Sequence, residues 1–140
     1  MSQSAMPEIS VVLAVYNPDP QFFCECLDSI LAQSIDDFEI IISDDAPNGQ
    51  IEQLLRQYSS EKIKYLRNPA GKGIFSNFNH ALHCASGEYL QVFCQDDRMY
   101  PNSLAEQRRV LQKYPGAGFV YAQCDVIDER GGIKEPCAYP

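Results

Sequence analysis

The chain has 140 residues, 45% of them apolar and 11% aromatic, enough for one folded domain with a real core. Its net charge is −8, from 11 basic and 19 acidic residues, and no basic patch is evident, which argues against polynucleotide binding. No apolar run approaches the ~20 residues that span a bilayer, and MSQSAMPEIS at the start lacks the basic and apolar stretches of a secretory leader, so a cytosolic protein is expected.

ISVVLAV (9–15) is a continuous apolar, β-branched run, which predicts a strand covered on both faces. NPDP punctuates it. Phe22/Phe23, Cys26/Leu27 and Ile30/Leu31 then recur every four residues, a helical stripe with Asp19 placed to cap it and Pro20 in its first turn. FEIIIS (38–43) reads as a second buried strand, and Ile51, Leu54, Leu55 and Tyr58 give the spacing of a second helix. IKYL (63–66) is a third, short strand.

After the loop NPAGKG, a third helical stripe comprises Ile74, Phe75, Phe78, Ala81, Leu82 and Ala85, with Gly87 placed to stop it. A fourth buried strand is expected at about 88–94. Pro101 opens a fourth helix with Leu104, Leu111 and Tyr114, closed by PGAG, and FVYAQ (119–123) reads as a fifth strand. The tail CDVIDERGGIKEP carries a Gly-Gly turn between extended pieces, the pattern of a hairpin. Such alternation predicts an α/β fold, a mostly parallel sheet with helices on both faces.

The six cysteines are Cys24, Cys26, Cys84, Cys94, Cys124 and Cys137. Most fall in apolar periodic segments, so they are expected to be reduced core thiols rather than disulfides or zinc ligands. His80 and His83, beside Cys84, have the spacing of a metal pair, but no complementary cluster accompanies them.

Ligands of open α/β sheets bind beyond the carboxyl ends of the strands, at a switch point. Polar residues gather at those ends: Tyr16 and Asn17 after the first strand, Asp44 and Asp45 after the second, Asp96 and Asp97 after the fourth. VYNPDP has no glycine, so it is not a dinucleotide-binding loop, and GKG at 71–73 is followed by Ile74, so it is not a P-loop. Adjacent carboxylates repel unless a cation compensates them. Carboxylates hold phosphate only through a divalent ion, and hard oxygen ligands suit Mg²⁺ or Mn²⁺. Asp96 and Asp97 are therefore read as completed by a metal and a diphosphate. Lys72 and Arg98 are candidate diphosphate contacts, with solvent exposure the commoner fate; Asn79 is expected to fix the third helix against neighbouring loops.

The stretches ISVVLAVYN, CLDSILAQSIDDFEIIISDDAPNG, IKYLRNPAGKGIFSNFNHAL, ASGEYLQVFCQDD and YPNSLAEQ, in this order and spacing, resemble the N-terminal half of a family 2 glycosyltransferase with the Rossmann-like GT-A fold. The resemblance implies a donor-binding α/β domain at 9–123, after an extension at 1–8, with 124–140 starting an acceptor half and the chain truncated after about the fifth strand. Ala14 and Tyr16 would line the nucleotide pocket, the aromatic against the base. Asp45 would accept a hydrogen bond from the base, favouring UDP or dTDP, with Asp44 in a structural turn. Asp96 would stand near the ribose and Asp97 would be the main metal ligand. Cys94 stands where many members carry a first acid; a thiol is a poor Mg²⁺ ligand, so Cys94 is expected in the strand core.

What the resemblance implies about activity is metal-dependent, inverting transfer from a nucleotide-diphosphate sugar to a glycan, lipid-linked or protein acceptor. The setting would be bacterial-type polysaccharide or glycoprotein assembly, in the cytoplasm or at the inner face of the membrane. The catalytic base would lie downstream, leaving this chain able to bind donor but not to transfer. A sugar-nucleotide nucleotidyltransferase would want a glycine-rich basic loop after the first strand, which VYNPDP does not supply. A non-catalytic module on the same fold is the other alternative.

Overall fold

The computed structural model describes residues 6–46, 48–68 and 73–136. Lys72, Pro47 and Cys137 lie outside the described residues. Two compact units are present, one ending at Leu104 and one beginning at Ala105.

In the first unit, four strands form one parallel sheet: β1 (Ile9–Val15), β2 (Phe38–Asp44), β3 (Ile63–Arg67) and β4 (Tyr89–Phe93), in the order β3-β2-β1-β4. The register pairs Val12 with Ile41 on one side and Val92 on the other. Alternation along β1 splits the core. Ile9, Val11, Leu13 and Val15 pack with Phe38, Ile40 and Ile42 against the helix α1 (Pro20–Leu31), through Phe23, Cys26, Leu27 and Ile30, and against Ile51 of α2 (Gln50–Leu55). Val12 and Ile41 face the other way, onto Ala81 of α3 (Ile74–Cys84), with Phe78, Leu82 and Ala85 beside them. Helices therefore cover both faces, as the unbroken apolar runs require.

Local chemistry fixes the ends. The Asp19 carboxylate accepts from the Gln21 and Phe22 amides (2.8 and 3.3 Å), and Pro20 takes the first helical position, where its missing N–H costs nothing. Gly87 does not stop α3, which ends at Cys84. Its lack of a side chain serves a close approach instead: a Cβ there would lie 2.6 Å from the Ser10 nitrogen and 2.8 Å from the Ile9 carbonyl carbon. At this end of the sheet the buried Glu39 carboxylate accepts from Ser10 Oγ (2.6 Å), the Ser86 amide (2.8 Å) and Ser86 Oγ (2.8 Å), and pairs with Lys64.

Two strand expectations need correction. β4 is half-covered rather than buried: Tyr89 and Phe93 join the core, but Leu90 is 54% and Val92 50% exposed, because β4 is the last strand of the sheet and α3 packs over Val12 and Ile41 instead. Residues 119–123 form no strand. Phe119 and Tyr121 are exposed there, and β-prone residues without a ladder partner do not make a strand by propensity alone.

The fourth helix, α4, spans Ser103–Lys113, two residues later than Pro101 suggests. Leu104 is buried, its amide donating to Gln33 Oε1 (3.0 Å). In the second unit, β5 (Val126–Ile127) and β6 (Ile133–Glu135) pair antiparallel, the expected hairpin. Asp128 Oδ1 accepts from the Arg130 and Gly132 amides (2.9 and 2.7 Å), and Gly131 takes the positive φ of 77° that the turn needs.

Candidate functional site

The strand order reverses direction at β1: the chain runs outward through β2 and β3, then returns to place β4 on the other side. Beyond the carboxyl ends of these strands opens a cleft of about 1070 Å³. Ala14, Tyr16, Asp45 and Asp96 all line it. Ala14 is the one residue of β1 that is not fully buried, because its side chain meets the cleft. Tyr16 is 60% exposed, an aromatic surface that the core leaves free.

The two acids after β2 have separate duties, as their neighbours dictate. Asp44 is fully buried; its Oδ1 accepts from the Ala46 amide (2.9 Å), an Asx-turn, and its Oδ2 from the Tyr65 hydroxyl (2.9 Å). Burial and that bond to a carboxylate push the Tyr65 phenol up to about 12. Asp45 turns toward the cleft. Its Oδ1 accepts from Asn68 Nδ2 (3.2 Å) and its Oδ2 from the Gly73 amide (3.0 Å), so the carboxylate joins the end of β3 to the start of α3. A carboxylate has about four acceptor positions, so Asp45 keeps capacity for a ligand N–H.

Asn77, rather than Asn79, fixes α3 to the sheet. Its buried Nδ2 donates to the Val15 and Ser43 carbonyls (3.1 and 2.9 Å), tying the last residues of β1 and β2 to the helix that walls the cleft. Asn79 is exposed. His80 Nδ1 is bonded to Ser43 Oγ (2.8 Å), which ties α3 to β2, and His83 Nδ1 is bonded to the Asn79 carbonyl one turn back in the same helix (2.6 Å).

After β4 the chain turns at residues 94–97, with the Asp97 amide reaching the Cys94 carbonyl (3.4 Å). Cys94 has left the strand and is exposed in the cleft wall, contrary to the expectation of a core position. Of the described cysteines only Cys26 is fully buried; Cys24, partly buried, and Cys84, exposed, lie on helix faces that are not fully covered, and Cys94 and Cys124 are exposed outside the strands. Burial, then Asp97 and Asp96, push the Cys94 thiol up. Burial, then Asp96, likewise raise the Asp97 carboxyl.

Asp96 lines the cleft, and Asp97 sits next to it, outside the lining. Among the described residues neither carboxylate has a cation partner, and no group of three or more His, Cys, Asp or Glu converges as a ready metal cage. That donor set fits an ion held by one or two carboxylates and completed by ligand oxygens. Arg98 points elsewhere, 3.8 Å from Glu25. Arg67, at the end of β3, is the one cation lining the cleft among the described residues.

Sequence reasoning missed Arg67, Asn68, Asn77 and Gln95 in the cleft lining. The signal available for Arg67 and Asn68 was their place directly after a short strand, at the same edge as the acids.

The comparisons with known proteins agree with this geometry. The sequence model described as glycosyl transferase family 2 matches residues 10–136. The chain belongs to glycosyl transferase family 2. EpsE of Bacillus subtilis is 32% identical over 128 residues, which are 89% of this chain and 46% of EpsE. An uncharacterized glycosyltransferase of Rickettsia felis is 32% identical over 89% of this chain and 21% of its own length. The chain thus spans less than half the length of these relatives. Among solved structures, residues 1–349 of S. aureus TarS in complex with UDP superpose with a TM-score of 0.67 at 18% identity, covering 86% of this chain and 41% of that one. The same protein has been solved with UDP-GlcNAc (TM-score 0.66, 19% identity, 86% and 40% covered). At such identity the likeness is one of fold, and it bears out the GT-A-like α/β reading. No helix among the described residues is long and apolar enough to cross a membrane.

Proposed function

We propose that this family 2 chain binds the nucleotide-diphosphate sugar donor of a glycosyltransferase, with UDP or dTDP favoured over other nucleotides. The carrying observation is that Ala14, Tyr16, Asp45 and Asp96, drawn from three strand ends, line one cleft at the switch point. Tyr16 offers an exposed ring for stacking. Asp45, as an acceptor, suits the imide N–H of uracil or thymine. Arg67 supplies positive charge at the cleft wall.

Asp96 and Asp97 would hold Mg²⁺ or Mn²⁺. When bound, such an ion supplies the positive charge that neutralises a diphosphate leaving group. The chain's own share is to orient the nucleoside through Tyr16 and Asp45, and to set Asp96 in the cleft wall with Asp97 beside it by turning the backbone at 94–97. Among these residues we assign no catalytic base. Transfer to a glycan, lipid-linked or protein acceptor, in polysaccharide assembly at the cytoplasmic face of a membrane, is the wider reading; family membership supports the transfer, and the UDP and UDP-GlcNAc complexes of TarS support the nucleotide-sugar donor.

Thermal unfolding with UDP, dTDP, GDP and CMP, each with and without Mn²⁺, tests the proposal. A ligand at about 100 times its dissociation constant adds roughly 2.7 kcal/mol of stability. UDP with Mn²⁺ should raise Tm, and Asp97→Asn should abolish the metal-dependent part. No shift with any nucleotide overturns the reading.

A further inference from the structure

The sheet ladder between β1 and β4 has its last pair at Leu13 and Phe93. Continued in register, Tyr16 would come opposite Asp96. The backbone there has already turned away, so Tyr16 cannot find a main-chain partner on β4. Its peptide groups are taken up by a side chain instead. The Tyr16 amide donates to Gln95 Oε1 (2.9 Å), and Gln95 Nε2 donates to the Tyr16 carbonyl (3.4 Å). A primary amide is the one side-chain group that carries a donor and an acceptor in the arrangement of a peptide. Gln95 therefore extends the ladder by one step without its own backbone. The orientation of the amide is set by chemistry, since the Tyr16 N–H needs an oxygen.

This has two effects at once. The turn at 94–97 can leave the sheet and carry Asp96 into the cleft lining, with Asp97 next to it. Meanwhile Tyr16, which follows the end of β1 and precedes Asn17 with its left-handed φ of 41°, keeps a fixed backbone although its ring is 60% exposed. An exposed aromatic on an untethered loop would have to be ordered when it receives a ligand, and that ordering subtracts from affinity.

We infer that Gln95 is a positioning residue, whose side-chain amide holds Tyr16 ready to stack on the nucleoside of the donor. The inference rests on the proposed nucleotide-binding role of the cleft. It makes Gln95, itself part of the cleft lining, a determinant of affinity through the backbone of Tyr16.

The test uses the full 140-residue chain, ¹⁵N-labelled, with Gln95→Met and Gln95→Glu. Methionine keeps the length and loses both hydrogen bonds; glutamate keeps the acceptor for the Tyr16 amide and loses the donor. Two quantities are read: hydrogen exchange at the Tyr16 and Leu13 amides, and the dissociation constant for UDP with Mn²⁺. In Gln95→Met the Tyr16 amide should exchange about tenfold faster with Leu13 unchanged, and the UDP constant should rise about tenfold. Gln95→Glu should recover most of the exchange protection and come within about threefold of wild-type affinity. A wild type that binds UDP and a Gln95→Met variant that binds it equally well overturn the inference alone. Accelerated exchange at Leu13 as well as Tyr16 overturns it too, since Gln95 would then hold the sheet and not the aromatic. A wild type that does not bind UDP overturns the proposed function and this inference with it.

Discussion

Glu39 should make the stability of this chain acid-labile. Its carboxylate gathers the amino-terminal ends of all four strands: Ser10 from β1, Lys64 from β3, and Ser86 just ahead of β4, with the Gly87 amide donating to Ser10 Oγ (2.8 Å). Burial alone would raise its pKa, but the bonds from Lys64, Ser10 and Ser86 outweigh burial and hold it at about 2 against the ordinary 4.5. That drop corresponds to roughly 3 kcal/mol at ~1.4 kcal/mol per unit. Lys64 is half-exposed, so part of its share is screened, and we expect about 2–3 kcal/mol. A lowered carboxylate pKa favours the fold above the unfolded value. The contribution is therefore complete above pH 4.5 and fades as pH falls toward 2. Urea unfolding followed by circular dichroism, for wild type and Glu39→Gln between pH 7 and pH 3, measures it. The variant should be about 2–3 kcal/mol less stable at pH 7, and the gap should hold down to about pH 4.5 and shrink between there and pH 3. A gap that stays constant with pH, or none at pH 7, would refute the linkage.

Three further outcomes are expected. Gly87→Ala should cost about 1–3 kcal/mol in the same urea assay, because the new methyl meets β1 backbone rather than a movable side chain. Asn77→Ala should lose about 2–3 kcal/mol, since the Val15 and Ser43 carbonyls both lose their donor, whereas Asn79→Ala should be within about 0.5 kcal/mol of wild type. Iodoacetamide labelling read by peptide mass should show UDP with Mn²⁺ shielding Cys94, which lines the cleft, and not Cys84; without nucleotide, Cys94 should gain reactivity only at alkaline pH, because burial and the neighbouring acids raise its thiol pKa.

Periodicity carried the reading of β1, β2 and α1 because each has a continuous or regularly spaced apolar surface that ends at a recognisable punctuation, such as Asp19–Pro20. It carried the cleft acids as well, since residues directly after a strand fall at one edge of a parallel sheet. It failed where neighbours in space decide. Leu90 and Val92 read as core, yet the strand is the last in the sheet and its outer face is uncovered. Phe119 and Tyr121 have strand chemistry but no ladder. Asn77 and Gln95 were invisible because each acts on backbone groups distant in sequence, Val15 and Ser43 for one and Tyr16 for the other. Nothing in local spacing distinguishes such an amide from a solvated one.

The central claim is that the carboxyl-end cleft takes a nucleoside diphosphate. Amide shifts of the ¹⁵N-labelled chain during a UDP titration with Mg²⁺ test it most directly. The account predicts saturable shifts at Ala14, Tyr16, Asp45, Gly73 and Asp96, with the Glu39–Ser86 end of the sheet unmoved. Absence of saturable shifts, or shifts centred on the opposite end of the sheet, would contradict it.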